Sequence, residues 1–418
     1  MKTFTTISLG CKVNAYEISA LSSRLKERGF KEDNNNPDVA IINTCSVTST
    51  ADQKSRQHIR KLINNYPNAI VVVMGCYSQG HHKFIFDEIK PNIVVGTNHR
   101  SDLVDLILKA DKSTYLDLTE DNSRTFEYEE LGITNLSENV RSYLKIQDGC
   151  DNFCSYCLIP LRRGKARNRN HDLIVKEANY LVNEGYQEIV LTGIHVGGYQ
   201  KDNPTDSFSN LVNDLLNIKD LYRLRISSIE ESEIDDKLIE LINTNDKLAN
   251  HFHIPLQSGS DTVLKRMNRK YNKAQFLNKI KMIKKACPDV ALTTDVIVGF
   301  PGESEEEFNE TYEFIKECGF NMLHVFPFSS REGTAASKMP NQIDPKIKKQ
   351  RALKLIELSN ELWDEYTNKF VNKEVEVLVE QFDAINKVNI GHTSNYLEVK
   401  IPDNENKVGK IAKTIYKK

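Results

Sequence analysis

The sequence predicts an α/β protein with an N-terminal parallel-sheet α/β domain, a central partial (β/α) barrel and a small all-β barrel at the C-terminus. Three patterns predict it. In the N-terminal quarter, near-continuous apolar runs alternate with amphipathic helical stretches, as in a parallel sheet covered on both faces. From Arg141 six more apolar runs alternate with helical patterns, which suits a (β/α) barrel. Beyond Val371 the period falls to two and turn residues separate the runs.

The first strands are "TFTTISLG", "DVAIINT", "AIVVVMG" and "PNIVVG". Helical patterns follow through "EISALSSRLKERGF", "ADQKSRQHIRKLINN" and from about Ser101. Residues 111 to 138 are polar and acidic and read as a linker or irregular crossing segment. The barrel strands are "RSYLKIQ", "EIVLTGI", "RLRISSI", "HFHIPLQ", "ALTTDVIVGF" and "NMLHVFPF", with helices such as "LIVKEANYLVNEG", "FSNLVNDLLNI" and "EEEFNETYEFIKECG" between them. Residues 344–370 form one long amphipathic helix, with Pro345 at its start and Trp363 expected to pack on the barrel. "KEVEVLVEQ", "YLEVKIP" and "KIAKTIYK" predict a compact five-stranded barrel. The expected domains are 1–112, 138–370 and 371–418.

At 418 residues, 39% hydrophobic and 27% charged, the chain is too long for one core. No run of about 18 apolar residues is present, and "MKTFTTISLGCK" lacks the apolar core of a signal peptide, so a cytoplasmic protein without membrane contact is expected. The net charge of −2 argues against a globally basic nucleic-acid binder, so any such site must be a local patch.

The eight cysteines carry the functional argument. Disulfides are not expected in a reducing cytosol. "DGCDNFCSYCLIP" places Cys150, Cys154 and Cys157 just after the first barrel strand, with no fourth cysteine nearby. Three thiolates on a 4Fe–4S cluster leave one iron open, as a catalytic site requires. A zinc site completed by a distant His or Cys is the plainer alternative. Cys11, Cys45 and Cys76 each end an apolar strand, in "ISLGC", "IINTC" and "VVMGC". Equivalent ends of parallel strands lie side by side, so these three can converge on a second open site. Cys287 and Cys318 stand alone near helix ends and read as buried or half-buried bystanders.

C-x3-C-x-aromatic-C after the first strand of such a barrel resembles the radical S-adenosylmethionine superfamily. That resemblance implies that S-adenosylmethionine chelates the open iron and is cleaved to a 5′-deoxyadenosyl radical, with the surroundings of Tyr156 covering the adenine. It points to further cofactor contacts at Thr192 and Gly193, Ser228 and Glu230, Gln257 in "HIPLQSGS", and Asp295 and Pro301 in "TTDVIVGFPGE". Two open sites in one chain resemble the radical methylthiotransferases across essentially the whole length. Their architecture is an N-terminal cluster domain, a radical barrel and a C-terminal TRAM β-barrel. "SLGCKVNAYE", "INTCSVTSTAD", "KRMNRKY" and "HVFPFSSREGT" are most similar to the branch acting on N6-threonylcarbamoyladenosine at position 37 of tRNA. The isopentenyladenosine branch usually reads Gln-Met-Asn after its first cysteine and the ribosomal-protein branch Pro-Lys-Asn; here stand Lys12, Val13 and Asn14. A departure is "SSIEESEI", where a proline would be expected after the first glutamate.

The resemblance implies an enzyme carrying two 4Fe–4S clusters and S-adenosylmethionine. Sulfur at the Cys11/Cys45/Cys76 cluster would be methylated, and the radical from the Cys150/Cys154/Cys157 cluster would activate C2 of the adenine. Its partners would be a tRNA anticodon loop and an electron donor such as flavodoxin or ferredoxin; a monomer is compatible with the sequence. "LIPLRRGKARNRN" offers phosphate contacts at Arg162, Arg163, Lys165, Arg167 and Arg169, and "KRMNRKYNK" offers Lys265, Arg266, Arg269 and Lys270. The alternatives are the same chemistry on isopentenyladenosine or a ribosomal protein, and a non-catalytic Fe–S or zinc RNA-binding protein.

Overall fold

The computed structural model describes residues 2–122, 127–132, 140–200, 203 and 205–418. Strands β1 (Thr3–Ser8), β2 (Lys31–Glu32), β3 (Val39–Thr44), β4 (Ile70–Gly75), β5 (Ile93–Val94) and β6 (Leu116–Asp117) form one parallel sheet in the order β2-β1-β3-β4-β5-β6. Helices α1 (Lys12–Glu27), α2 (Ser49–Asn65), α3 (Cys76–Phe84) and α4 (Leu103–Lys109) complete the unit. Both faces of β3 and β4 are buried, which is why their sequences read as unbroken apolar runs. Thr48 starts α2 by accepting a hydrogen bond from the Ala51 amide.

Two elements differ from expectation here. The run "PNIVVG" pairs over only two residues. The polar stretch after residue 111 is not simply a linker: Leu116–Asp117 joins the sheet as its edge strand. Glu129 and Glu130 of the same stretch then tie the domains together through Arg100 and Arg169. The rest of that segment, 123–126 and 133–139, lies outside the described residues.

The six barrel strands are β7 (Arg141–Lys145) and, after the short antiparallel pair β8 (Gln147–Asp148) and β9 (Arg167–Asn168), β10 (Glu188–Thr192), β11 (Arg223–Ile226), β12 (His251–His253), β13 (Ala291–Val298) and β14 (Met322–Pro327). They form two parallel three-stranded sheets, β11-β10-β7 and β12-β13-β14, joined by a Leu224–Leu248 bridge. Among the described residues β7 and β14 do not pair, so the barrel is partial. Its helices are α5 (Ile159–Arg163), α6 (His171–Asn183), α7 (Phe208–Leu216), α8 (Asp236–Thr244), α9 (Asp261–Arg266), α10 (Lys273–Ala286) and α11 (Glu305–Cys318), closed by α12 (Pro345–Asn368). Residues between strand and helix layers, such as Leu224, Phe252, Leu292 and Val296, form the main core.

The C-terminal module differs from the expected five-stranded barrel. Its described residues form four antiparallel strands, β15 (Glu374–Asp383), β16 (Val388–Thr393), β17 (Glu398–Pro402) and β18 (Ile411–Ile415), in the order β17-β16-β15-β18. Trp363 is also corrected. It packs with Tyr366, Phe370, Val377, Leu397 and Tyr416, in the seam between α12 and this module, where only Ala291 comes from a barrel strand. No helix among the described residues is long and apolar enough to cross a membrane.

Candidate active site

The first three thiols sit where the parallel sheet predicts. Strand order β1-β3-β4 brings the segments ending in Cys11, Cys45 and Cys76 together, and Thr44 stands opposite Gly75 one residue before two of them. Gly10 has φ +96°, and a Cβ there would lie 2.6 Å from the Cys45 Sγ. A glycine is therefore what lets the two segments meet. Cys11 is exposed, while Cys45 and Cys76 are buried. Burial pushes the Cys45 thiol up, and pushes Cys76 up to about 11 even though Arg163 opposes it.

The second set lies on the loop after β8. Gly149, at φ +71°, brings the chain against Lys165, whose carbonyl oxygen would be 1.8 Å from an added Cβ. The Ser155 amide donates to Met267 O at 2.9 Å, Ser155 Oγ donates to Arg266 O at 2.8 Å, and Asn268 donates to Phe153 O at 2.9 Å. Each sulfur already receives a donor. The Asn152 amide reaches Cys150 at 3.5 Å, the Ile159 amide reaches Cys157 at 3.4 Å, and Arg269 reaches Cys154 at 3.5 Å. Such donors favour thiolates and tune a cluster held by them. Burial pushes Cys157 up to about 12. No three His, Cys, Asp or Glu side chains among the described residues are close enough to ligate one ion.

Between the two sets lies a buried charge network that the sequence reading missed. Arg163, wholly buried, donates to Cys76 Sγ at 3.2 Å, Glu17 at 2.8 Å, Asn14 at 2.8 Å and Asp148 at 3.1 Å. Lys145 reaches Glu17 at 3.0 Å and Asp148 at 2.6 Å, and Arg100 and Arg167 join them. Four cations face three carboxylates, Glu17, Asp148 and Glu129. The surplus positive charge suits a thiolate at Cys76. Burial disfavours the charged form of Glu17, yet Arg100 and Arg163 hold it well below the usual carboxylate range.

These contacts change the reading of the basic loops. Arg163, Arg167 and Arg169 are 0%, 3% and 2% exposed and paired inside the protein, so they do not present charge to RNA. Lys165 is exposed and Arg162 is half-buried beside Gly80. In the second loop Arg266 is clamped by Glu307 at 2.9 and 2.7 Å, and Arg269 pairs with Glu230; only Lys265 and Lys270 are exposed.

The residues expected to touch the cofactor fall into three groups. Glu230 lines a small cavity of about 40 Å³ with Cys154, Asn152, Glu233 and Arg269. Tyr156 stands edge-on to Phe300 at 6.5 Å, and Gly193 lies within van der Waals reach of Gln147, next to the thiol loop. Gln257, at φ +64°, is bridged to β13: its amide donates to Asp295 O at 2.8 Å. Thr192 and Pro301 are buried, Ser228 is half-buried, and the Asp295 carboxylate pairs with His253 at 3.3 Å. His195 was missed. Its main-chain amide donates to Gln147, and its ring meets Asn152 at 3.3 Å and pairs with Glu233. Burial pushes its pKa down, but bonds to Cys150 and Glu233 outweigh this and carry it to about 10. The missed signal was a lone histidine in a strand-end motif.

A further feature is the polar inner face of the barrel. Arg141, Lys145, Glu188, Arg223, Arg225, His253, Thr293, Asp295 and His324 recur at alternate strand positions, where a closed barrel would carry branched apolar side chains. A cleft of about 860 Å³ also opens at the other end of the barrel, between Tyr222, Lys247, Cys287 and the C-terminal sheet, and holds neither thiol set.

Residues 3–96 match the family model described as uncharacterized protein family UPF0004, and residues 144–315 match the Radical SAM superfamily. The chain is 44% identical to the threonylcarbamoyladenosine tRNA methylthiotransferase MtaB of Bacillus subtilis (strain 168), over 99% of its own length and 93% of that protein. The chain belongs to the radical SAM tRNA methylthiotransferases. This methylthiotransferase is 35% identical to the MtaB of Aquifex aeolicus (strain VF5), over 98% of each chain. It is 33% identical to the tRNA-2-methylthio-N(6)-dimethylallyladenosine synthase of Acetivibrio thermocellus, over 98% of this chain and 87% of the other. The radical S-adenosylmethionine methyltransferase TsrM from Kitasatospora setae shares the fold, with TM-score 0.58, 13% identity and coverage of 78% and 73%.

Proposed function

We propose that this methylthiotransferase converts N6-threonylcarbamoyladenosine at position 37 of tRNA to its 2-methylthio derivative. The observation that carries the chemistry is the pair of three-thiol sets, one at the ends of parallel strands and one on the loop after β8, linked by Arg163 through Cys76 and Asp148. The substrate reading rests on the 44% identity over 99% of the chain. Cys11, Cys45 and Cys76 hold one 4Fe–4S cluster, and Cys150, Cys154 and Cys157 the other. When bound, the second cluster and S-adenosylmethionine supply the radical that activates C2, and the first supplies sulfur.

The chain's own groups do the rest. Asn152, Ile159 and Arg269 hold the second set of thiolates by hydrogen bonds. Arg163 donates to Cys76 and to Asp148, opposing the effect of burial on the thiol and tying the two sites together. Glu230 lines the small cavity beside Cys154, and Tyr156, Gly193, Gln257 and Asp295 are proposed as further contacts to the cofactor. Lys165, Lys265 and Lys270 remain as exposed phosphate contacts near it. The working units are the N-terminal sheet domain, extended to Asp117 by β6, the barrel from Arg141 with its closing helix, and the C-terminal sheet beyond residue 371. The proposed setting is the cytoplasm, with a tRNA anticodon loop as substrate and an electron donor such as flavodoxin or ferredoxin.

The test is anaerobic reconstitution followed by nucleoside mass spectrometry. About eight irons should bind. Cys154→Ala should abolish 5′-deoxyadenosine formation, and Cys45→Ala should retain it while stopping methylthiolation. Methylthio product from Cys45→Ala would overturn the first-cluster assignment. Product on a dimethylallyladenosine tRNA, but none on threonylcarbamoyladenosine, would overturn the substrate.

A further inference from the structure

Lys12 begins α1, next to Cys11, and α1 packs along β7 at the edge where the barrel does not close. Across that opening lies a polar face. Register pairs Asp295 with His324 and His253 with Thr293, so these side chains share the inner surface. His253 is already used: it meets Thr293 at 2.9 Å and Asp295 at 3.3 Å. Its ring centre lies 5.5 Å from that of His324, which is exposed, as is Phe326 two residues on. Burial and the charge of His253 push His324 down, Asp295 opposes them, and Lys12 adds a smaller downward push. The charge of Lys12 also reaches His251. Its place at the start of α1, the helix packed on β7, puts Lys12 beside the open edge of the barrel.

Inward-facing cations elsewhere in the site are paired with carboxylates: Arg141, Arg223 and Arg225 with Glu188, Lys145 and Arg163 with Glu17, and Arg269 with Glu230. Among the described residues Lys12 makes no ion pair and no side-chain hydrogen bond. It is half-buried, so its charge is only partly hydrated. A cation held there without an anion suits an anionic ligand.

The reaction gives that ligand a position. C2 and C6 of adenine flank the same ring nitrogen, N1, so whatever hangs on the N6 amine of C6 lies on the side of the ring where sulfur is delivered to C2. The group that delivers it is bound by Cys11, the neighbour of Lys12. A threonylcarbamoyl substituent carries a carboxylate, whereas a dimethylallyl substituent is neutral and apolar.

We propose that Lys12 binds the threonyl carboxylate on N6 of the target adenine and so selects the threonylcarbamoyl over the apolar substituent. This rests on the substrate reading above. The site built for the carboxylate then rejects a substrate lacking it, because its half-buried charge is covered without a partner.

The experiment uses the reconstituted full-length enzyme and two anticodon stem-loops, one with threonylcarbamoyladenosine and one with its methyl ester. For the free acid, Lys12→Gln should raise KM roughly 10- to 100-fold, the range of one charge-assisted hydrogen bond, and Lys12→Arg should restore most of it. Iron content and KM for S-adenosylmethionine should not change. The wild type should lose a similar factor on the ester, and Lys12→Gln should no longer distinguish acid from ester. Equal use of acid and ester by the wild type overturns the proposal while leaving the proposed function intact. So does a Lys12→Gln defect that appears in KM for S-adenosylmethionine or in iron content instead. No methylthio product from the wild type on the free acid overturns both.

Discussion

Cys76 and Cys157 are raised by burial to about 11 and about 12, so the metal-free chain holds both as neutral thiols near neutral pH. Two pH effects of opposite sign follow. Without iron, the fold loses the benefit of these buried thiols as pH rises from the ordinary thiol value toward about 11. Iron must displace the protons, so cluster loading weakens as pH falls, and anaerobic reconstitution should yield less bound iron at about pH 6 than at about pH 8. Gly10→Ala should act on the first site alone: the added carbon meets the Cys45 sulfur at 2.6 Å on a backbone at φ +96°. Its expected result is about half the iron, with 5′-deoxyadenosine formation kept and methylthiolation lost. Arg163→Met should strip iron from the same site, with partial recovery in Arg163→Lys. At this scale the six cysteines stand out in the sequence, three by strand-end position and three by their C-x3-C-x2-C spacing, because both signals are local. Arg163, Arg269 and His195 were not: their sulfur or loop partners lie 87, 115 and 43 residues away.

The radical-site loop is an element whose shape is borrowed. It has no regular structure over 151–154 and is pinned by the segment 266–268 and by the Ala336 amide donating to Ser155 O at 2.8 Å. Ser155→Ala removes the Oγ bond to Arg266 O and should cost about 1 kcal/mol of stability, read as a lower thermal midpoint in the metal-free chain. Among elements, the barrel strands were legible from apolar runs flanked by helical periods. Their inner face was partly legible too, since Arg-x-Tyr-x-Lys, Arg-x-Arg and His-x-His alternate in the sequence. The edge strand Leu116–Asp117 was not, because a two-residue pairing inside an acidic stretch has no periodicity to detect.

For the whole molecule, the C-terminal sheet is joined to the barrel through charge. Glu188 is fully buried and pairs with Arg223 at 3.0 Å and Arg225 at 2.8 Å. The two arginines also donate to the carbonyls of His392, Thr393 and Ser394 on the C-terminal module. Burial opposes ionisation of Glu188, but Arg225 outweighs it and holds the carboxyl at about 2. A lowered carboxylate stabilises the fold above its ordinary value of 4.5, and that contribution is lost as pH falls toward about 2. The shift corresponds to roughly 3 kcal/mol. Thermal melts should therefore drop steeply below about pH 4.5, and Glu188→Gln should be destabilised at neutral pH by about 3–5 kcal/mol, with its acid-dependent loss blunted. Helix and strand order predicted the domains' succession, whereas their mode of attachment depends on charges that pair only in three dimensions. The same holds at the other seam, and there it governs how the protein matures. Synthesis delivers the N-terminal half first, yet the guanidinium that steadies Cys76 is translated 87 residues later. The proposed sulfur-inserting centre is thus expected to stay free of metal on the ribosome until Arg163 has emerged, which makes iron loading there a post-docking step in biogenesis.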